Sequence, residues 1–192
     1  MSASAFIVDF SKIVLLSDGY AYPLTGDHIL ESTNARKVWK LRSSTGLVWM
    51  GSRPNSIDQI VESTFGMDAQ RAIHKIAKVL EKGLPPEALA LLDDNNPFNI
   101  FTFECKPTGT DYFRLFYHID RFSPTYKGKI PPGTVGCLSV NENPPEFEVL
   151  TRKHHQLGKT MEQTAKDAFA EFIELCNDER IGGEIFMETI TV

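Results

Sequence analysis

The chain has 192 residues, 42% of them hydrophobic and 23% charged, with a formal net charge of −5. Such a length and balance predict one compact domain over 1–192 and exclude fibrous and extensively disordered classes. The acidic balance gives no electrostatic footprint for nucleic acid.

Residues 1–10 lack a basic segment and carry Asp9, and the longest apolar runs are only a few residues. The expectation is therefore a cytoplasmic protein with no secretory leader and no membrane span. Ala5–Val8 and Ile13–Leu16 flank a turn-like Asp-Phe-Ser-Lys and predict a strand pair that starts almost at the terminus. Residues 35–41 (ARKVWKL) and 47–51 (LVWMG) predict a second pair, joined by a polar loop ending in Gly46. The period then changes to three and four: Ile57, Ile60, Val61 and Thr64 mark one helix, and Ala69, Ala72, Ile73, Ile76, Val79 and Leu80 a second. Residues 98–105 and 111–119 form a third predicted hairpin, and KGKIPPG (127–133) reads as a turn-rich loop. Two further helices are expected, near 143–150 and over 160–177, the latter capped by Thr160 with Gln163 at its third position. A strand in GGEIFMETITV closes the pattern, which suits two packed sheets with helices outside.

Cys105, Cys137 and Cys176 are odd in number and widely spaced, and read as reduced thiols rather than a disulfide or zinc set. The five histidines lack an i, i+4 metal spacing, and no glycine-rich phosphate loop occurs, so no metal and no cofactor are expected.

The chemistry sits near the start. If an aminopeptidase removes Met1, as the small side chain of Ser2 permits, Ser2 carries a hydroxyl beside a free α-amine of reference pKa roughly 7.7–8.0. That amine can serve as base for the hydroxyl next to it. Lys37 would favour the alkoxide, Asp18 would pair with Lys37, and the backbone N–H of Gly51 would hold an oxyanion. Each residue also has a plain structural reading. Asp18-Gly19 is an ordinary strand exit, Lys37 an ordinary solvated strand residue, and Gly51 an ordinary turn glycine.

KIVLLSDGYA (12–21), RKVWKL (36–41), VWMGS (48–52) and NDERIGGEIFMETIT (177–191) resemble, in order and spacing, the proteasome β-type peptidases and their bacterial relatives, which are N-terminal nucleophile hydrolases. Asp18 lies sixteen residues after Ser2 and Gly51 fourteen after Lys37, as in that family. The resemblance implies an α+β fold, a four-layer αββα sandwich of two packed antiparallel sheets flanked by helices. It implies peptide or small-amide substrates cleaved through an acyl-enzyme, and assembly into a ring or another homo-oligomer. It assigns catalytic roles to Ser2, Asp18, Lys37 and Gly51 and a supporting role to Asp178. It also places Ala21, Ala35, Trp49 and Arg53 near the first specificity pocket, where Arg53 would favour an acidic substrate residue. The sequence departs from the family in three places. Ser2 replaces Thr, Cys137 stands where a supporting Ser is usual, and Ile181, which cannot hydrogen-bond an amine, stands where another Ser is usual. The alternative reading is therefore a catalytically inactive proteasome-like scaffold subunit whose terminus is blocked or retains Met1.

Overall fold

The computed structural model describes residues 3–21, 32–51, 56–83, 98–116, 122–138 and 146–192. The predicted first pair is β1 (Ser4–Val8) and β2 (Lys12–Ser17), followed by β3 (Val38–Arg42) and β4 (Thr45–Gly51). Helices α1 (Ile57–Glu62) and α2 (Ala69–Gly83) come next, then the hairpin β5 (Phe98–Lys106) and β6 (Gly109–Phe116). Strands β7 (Thr125–Ile130) and β8 (Val135–Cys137) precede α3 (Phe147–His155), α4 (Met161–Cys176) and β9 (Phe186–Thr191).

The strands form two wholly antiparallel sheets, one in the order β8-β1-β2-β9 and one in the order β3-β4-β5-β6-β7. Strands β1 and β2 are apolar on both sides because both sides are covered. Ala5, Ile7, Val14 and Leu16 pack with Phe147, Phe169 and Phe172 of α3 and α4. Phe6, Val8, Ile13 and Leu15 meet Val48, Phe101 and Phe103 of the other sheet. The outer face of that second sheet, including Leu47, Trp49 and Ile100, is closed by Ile57, Ile73 and Ile76 of α1 and α2. Alternation along each strand thus sorts side chains into three apolar layers between four structural ones, the αββα sandwich that the resemblance implied.

Two expectations are corrected. KGKIPPG is not all loop: Thr125–Ile130 pairs with β6 from Thr110↔Ile130 to Arg114↔Thr125. It is an edge strand rich in lysine and glycine, and such composition hides an edge from pattern reading. The helix expected near 143–150 begins later, at Phe147, after Glu146. By contrast, Thr160 caps α4 as expected, its hydroxyl accepting from Gln163 N at 3.2 Å, and Asn177 ends that helix in the left-handed region at φ 47°.

Candidate active site

Asp18 stands one residue beyond β2, and its side chain is the centre of the site. It is fully buried. Its Oδ1 accepts from Lys37 Nζ at 2.8 Å and from the backbone N–H of Ala3 at 2.9 Å. Its Oδ2 accepts from Tyr20 N and Gly182 N, each at 3.4 Å. Burial pushes the Asp18 carboxyl above its usual range, against the pull of the Lys37 ammonium and of the Ala3 and Gly182 amides.

Lys37 precedes β3, and its carbonyl accepts from Trp49 N at 2.8 Å, so β4 extends the pairing past the end of the regular strand. The backbone around Asp18 is knitted from three distant segments. Gly19 N and Tyr20 N donate to Gly182 O at 2.8 and 3.0 Å, Ala35 N donates to Gly19 O at 2.8 Å, and Glu184 N donates to Thr33 O at 2.8 Å. No side chain fits at this junction. A Cβ on Gly19 would stand 2.5 Å from Thr33 O, and one on Gly183, whose φ is +80°, would stand 2.3 Å from the same oxygen. Pattern reading takes Asp18-Gly19 for an ordinary strand exit and passes over Gly183, for which the Gly-Gly dipeptide was the available signal.

The remaining expected residues divide. Gly51 ends β4 opposite Phe98 at φ +86°, a left-handed conformation that suits glycine. Ala35 and Ala21 are buried, and Ala21 bridges to Ser32. Trp49 is buried against Phe98, with ring centroids 5.5 Å apart, under the helices of the second sheet. Asp178 lies just past α4 and accepts from Arg180 three times: from its backbone N at 3.0 Å and Nε at 2.9 Å on Oδ1, and from Nη2 at 3.0 Å on Oδ2. Those hydrogen bonds hold its carboxyl below the usual range. Ile181 is buried in the same apolar cluster as Ala3 and Phe172. The Cys137 thiol faces the Ser4 carbonyl at 3.5 Å, across the pairing of β8 with β1. Ser2 and Arg53 lie outside the described residues.

Ser4 and Ser17 pair across β1 and β2, and both hydroxyls are buried without a hydrogen-bond partner among the described residues. No three His, Cys, Asp or Glu side chains among the described residues converge as a cation site requires. No helix among them is long and apolar enough to cross a membrane.

The arrangement is a buried cation–carboxylate pair at the root of the first strand. The carboxylate grips the N–H of the residue after Ser2, so the strand's first turn of backbone is positioned by charge. No family model matches the sequence, and no curated protein matches it. Among solved structures, the chain is similar to eukaryotic HslV from Trypanosoma brucei over 99% of this chain and 99% of that one, with a TM-score of 0.56 and 11% identity. The likeness is one of architecture: two antiparallel sheets flanked by helices, the fold of HslV.

Proposed function

We propose that the chain is a proteasome-like hydrolase that cleaves peptide amide bonds with Ser2 as nucleophile, after removal of Met1. The freed amine of Ser2 takes the hydroxyl proton as Oγ attacks the substrate carbonyl, and the N–H of Gly51 receives the oxyanion. On collapse the amine returns the proton to the departing nitrogen, leaving an acyl ester on Ser2 that water hydrolyses. The ammonium of Lys37 favours the alkoxide and lowers the proton affinity of the amine, and Asp18 fixes Lys37.

The observation that carries this reading is the double use of Asp18 Oδ1, which holds Lys37 Nζ at 2.8 Å and the N–H of Ala3 at 2.9 Å. A lysine only 4% exposed is an unusual way to end a strand, and its partner is anchored to the residue beside the nucleophile. Substrate selection falls to the surroundings of Ala21 and Ala35, with Arg53 favouring an acidic substrate residue, and the working form is a homo-oligomeric ring or similar assembly in the cytoplasm.

Intact-mass spectrometry of the purified protein and turnover of fluorogenic peptides by the Ser2→Ala variant test the reading. Loss of one Met without acetylation, with a fall in turnover by roughly 10⁴-fold or more in the variant, is expected. Turnover unchanged in Ser2→Ala overturns it.

A second reading, a non-catalytic subunit of the same fold, is favoured by one observation. Both oxygens of Asp178 accept from Arg180, and the neighbouring Ile181 is turned into the core. Retained Met1 together with no turnover supports that reading.

A further inference from the structure

Between the two sheets lies a cleft of ≈ 720 Å³, within the size range of small-ligand sites. Among the described residues its lining includes Arg114, Lys127 and Lys129 and no Asp or Glu. Lys129 turns its ammonium to Thr108 Oγ1 at 2.9 Å, and Lys127 is exposed at the rim. Arg114 is the cation held inside. Its Nε and Nη2 donate to Asn99 Oδ1, at 2.8 Å for Nε, and its guanidinium lies 4.8 Å from the Phe116 ring centroid and 5.6 Å from that of Phe101. No carboxylate among the described residues meets it, and burial holds the group below its usual range. Arg36, Arg71, Lys106, Arg152 and Lys153 each sit on a carboxylate, whereas Arg114 is oriented by an amide and two rings, with donors left over among the described contacts. That is how a fork is kept open for an arriving anion.

The position is as informative as the charge. Met50, which precedes Gly51, lines the same cleft and pairs with Asn99. Val48, Phe101 and Arg114 stand in one row across β4, β5 and β6, so Arg114 is two strand spacings, roughly 10 Å, from β4. Gly51 lies three residues, a further ~10 Å, along β4 from Val48, so it stands ~14 Å from Arg114, which an extended peptide covers in about four residues.

We propose that this cleft is a carboxylate-binding subsite centred on Arg114. It takes an acidic side chain or a free C-terminal carboxylate of a peptide, about four residues from the bond that is cleaved. The peptide identity of the ligand rests on the function proposed above; the anion site does not, and the test is chosen to separate the two. Binding is measured by isothermal titration calorimetry on the full-length Ser2→Ala chain, which does not consume its ligand. The probes are acetyl-Ala-Phe-Glu-amide against acetyl-Ala-Phe-Gln-amide, and acetyl-Ala-Phe-Ala with a free against an amidated C-terminus. The first pair reads a side-chain carboxylate and the second a terminal one.

At least one charged probe is expected to bind about ten- to a hundredfold more tightly than its neutral partner, the range for a hydrogen bond to a charged group. Arg114→Gln is expected to erase that difference, and Arg114→Lys to restore part of it. Equal affinities within both pairs overturn the proposal without any variant, as does a preference that survives Arg114→Gln in a protein whose circular dichroism is unchanged. A wild-type chain that binds the charged probes but never cleaves a peptide sinks the hydrolase reading and leaves the subsite standing.

Discussion

Lys37 Nζ lies 2.8 Å from Asp18 Oδ1, and neither side chain reaches solvent to a useful extent. Taking two opposite charges out of water is costly, and their attraction repays that cost only when geometry and the remaining hydrogen bonds are good. Here Asp18 also receives the Ala3 and Gly182 amides, so its lone pairs are met.

Breaking the pair from one side strands a buried charge. Asp18→Asn and Lys37→Met are each expected to lower stability by about 3–5 kcal/mol. The double variant should lose clearly less than the sum. Urea denaturation of the four proteins measures the coupling, and additive losses would contradict the pairing.

The backbone junction at Gly19 and Gly183 makes a sharper prediction. Gly183→Ala places a Cβ against Thr33 O at a backbone angle that side chains avoid, and is expected to cost roughly 3 kcal/mol. Gly158→Ala, at φ +71° with open space around the new carbon, should cost only about 1 kcal/mol. Thermal unfolding of both variants distinguishes crowding from conformation alone.

At the other end of the second sheet, Glu104 accepts from Thr45 Oγ1 at 2.6 Å, Ser44 Oγ at 2.9 Å and the Ala69 N–H at 3.1 Å, and pairs with Arg42. Burial pushes its carboxyl up, but those hydrogen bonds outweigh it and hold the group below its usual range. A depressed carboxylate contributes stability that is present above the ordinary glutamate value of about 4.3 and is lost as pH falls below it toward the folded value. Glu104→Gln is therefore expected to be less stable near neutrality and to show a flatter acid limb below about pH 4. Stability measured by urea at several pH values reads both effects.

Ile181→Ser tests the packing beneath the start of the first strand. It exchanges a side chain buried with Ala3 and Phe172 for a hydroxyl in an apolar cluster, at a cost of about 3 kcal/mol. A shift in urea midpoint with unchanged slope is the expected result.

Much of the layer order was readable in advance because each sheet is covered on both sides. IVLLS in β2 is too uniformly apolar to be exposed on either face, FNIFTFEC carries large apolar residues toward both of its sides, and the 3.6-residue period of α2 and α4 is unmistakable. Strand β7 was not readable, since an edge residue needs no apolar partner, and TYKGKI carries the lysines and glycine that keep an edge unattractive to other chains. Asp18 and Lys37 were legible through the resemblance alone, in the intervals from Ser2 to Asp18 and from Lys37 to Gly51; by themselves both read as ordinary strand and turn residues. Arg180 clamping Asp178, and Arg114 resting on Phe101 and Phe116, were not. Those contacts depend on how a loop turns and on which of several cations lacks a carboxylate, and neither leaves a period in the sequence.

The amide of Gly182 that reaches Asp18 is 164 positions further along the chain. A ribosome has therefore added a further 164 residues before the carboxylate acquires its last donor, and a nascent chain stopped short of that glycine has an unfinished socket around its charge. Order of synthesis thus leaves this buried charge incompletely surrounded until the segment leading into β9 has emerged.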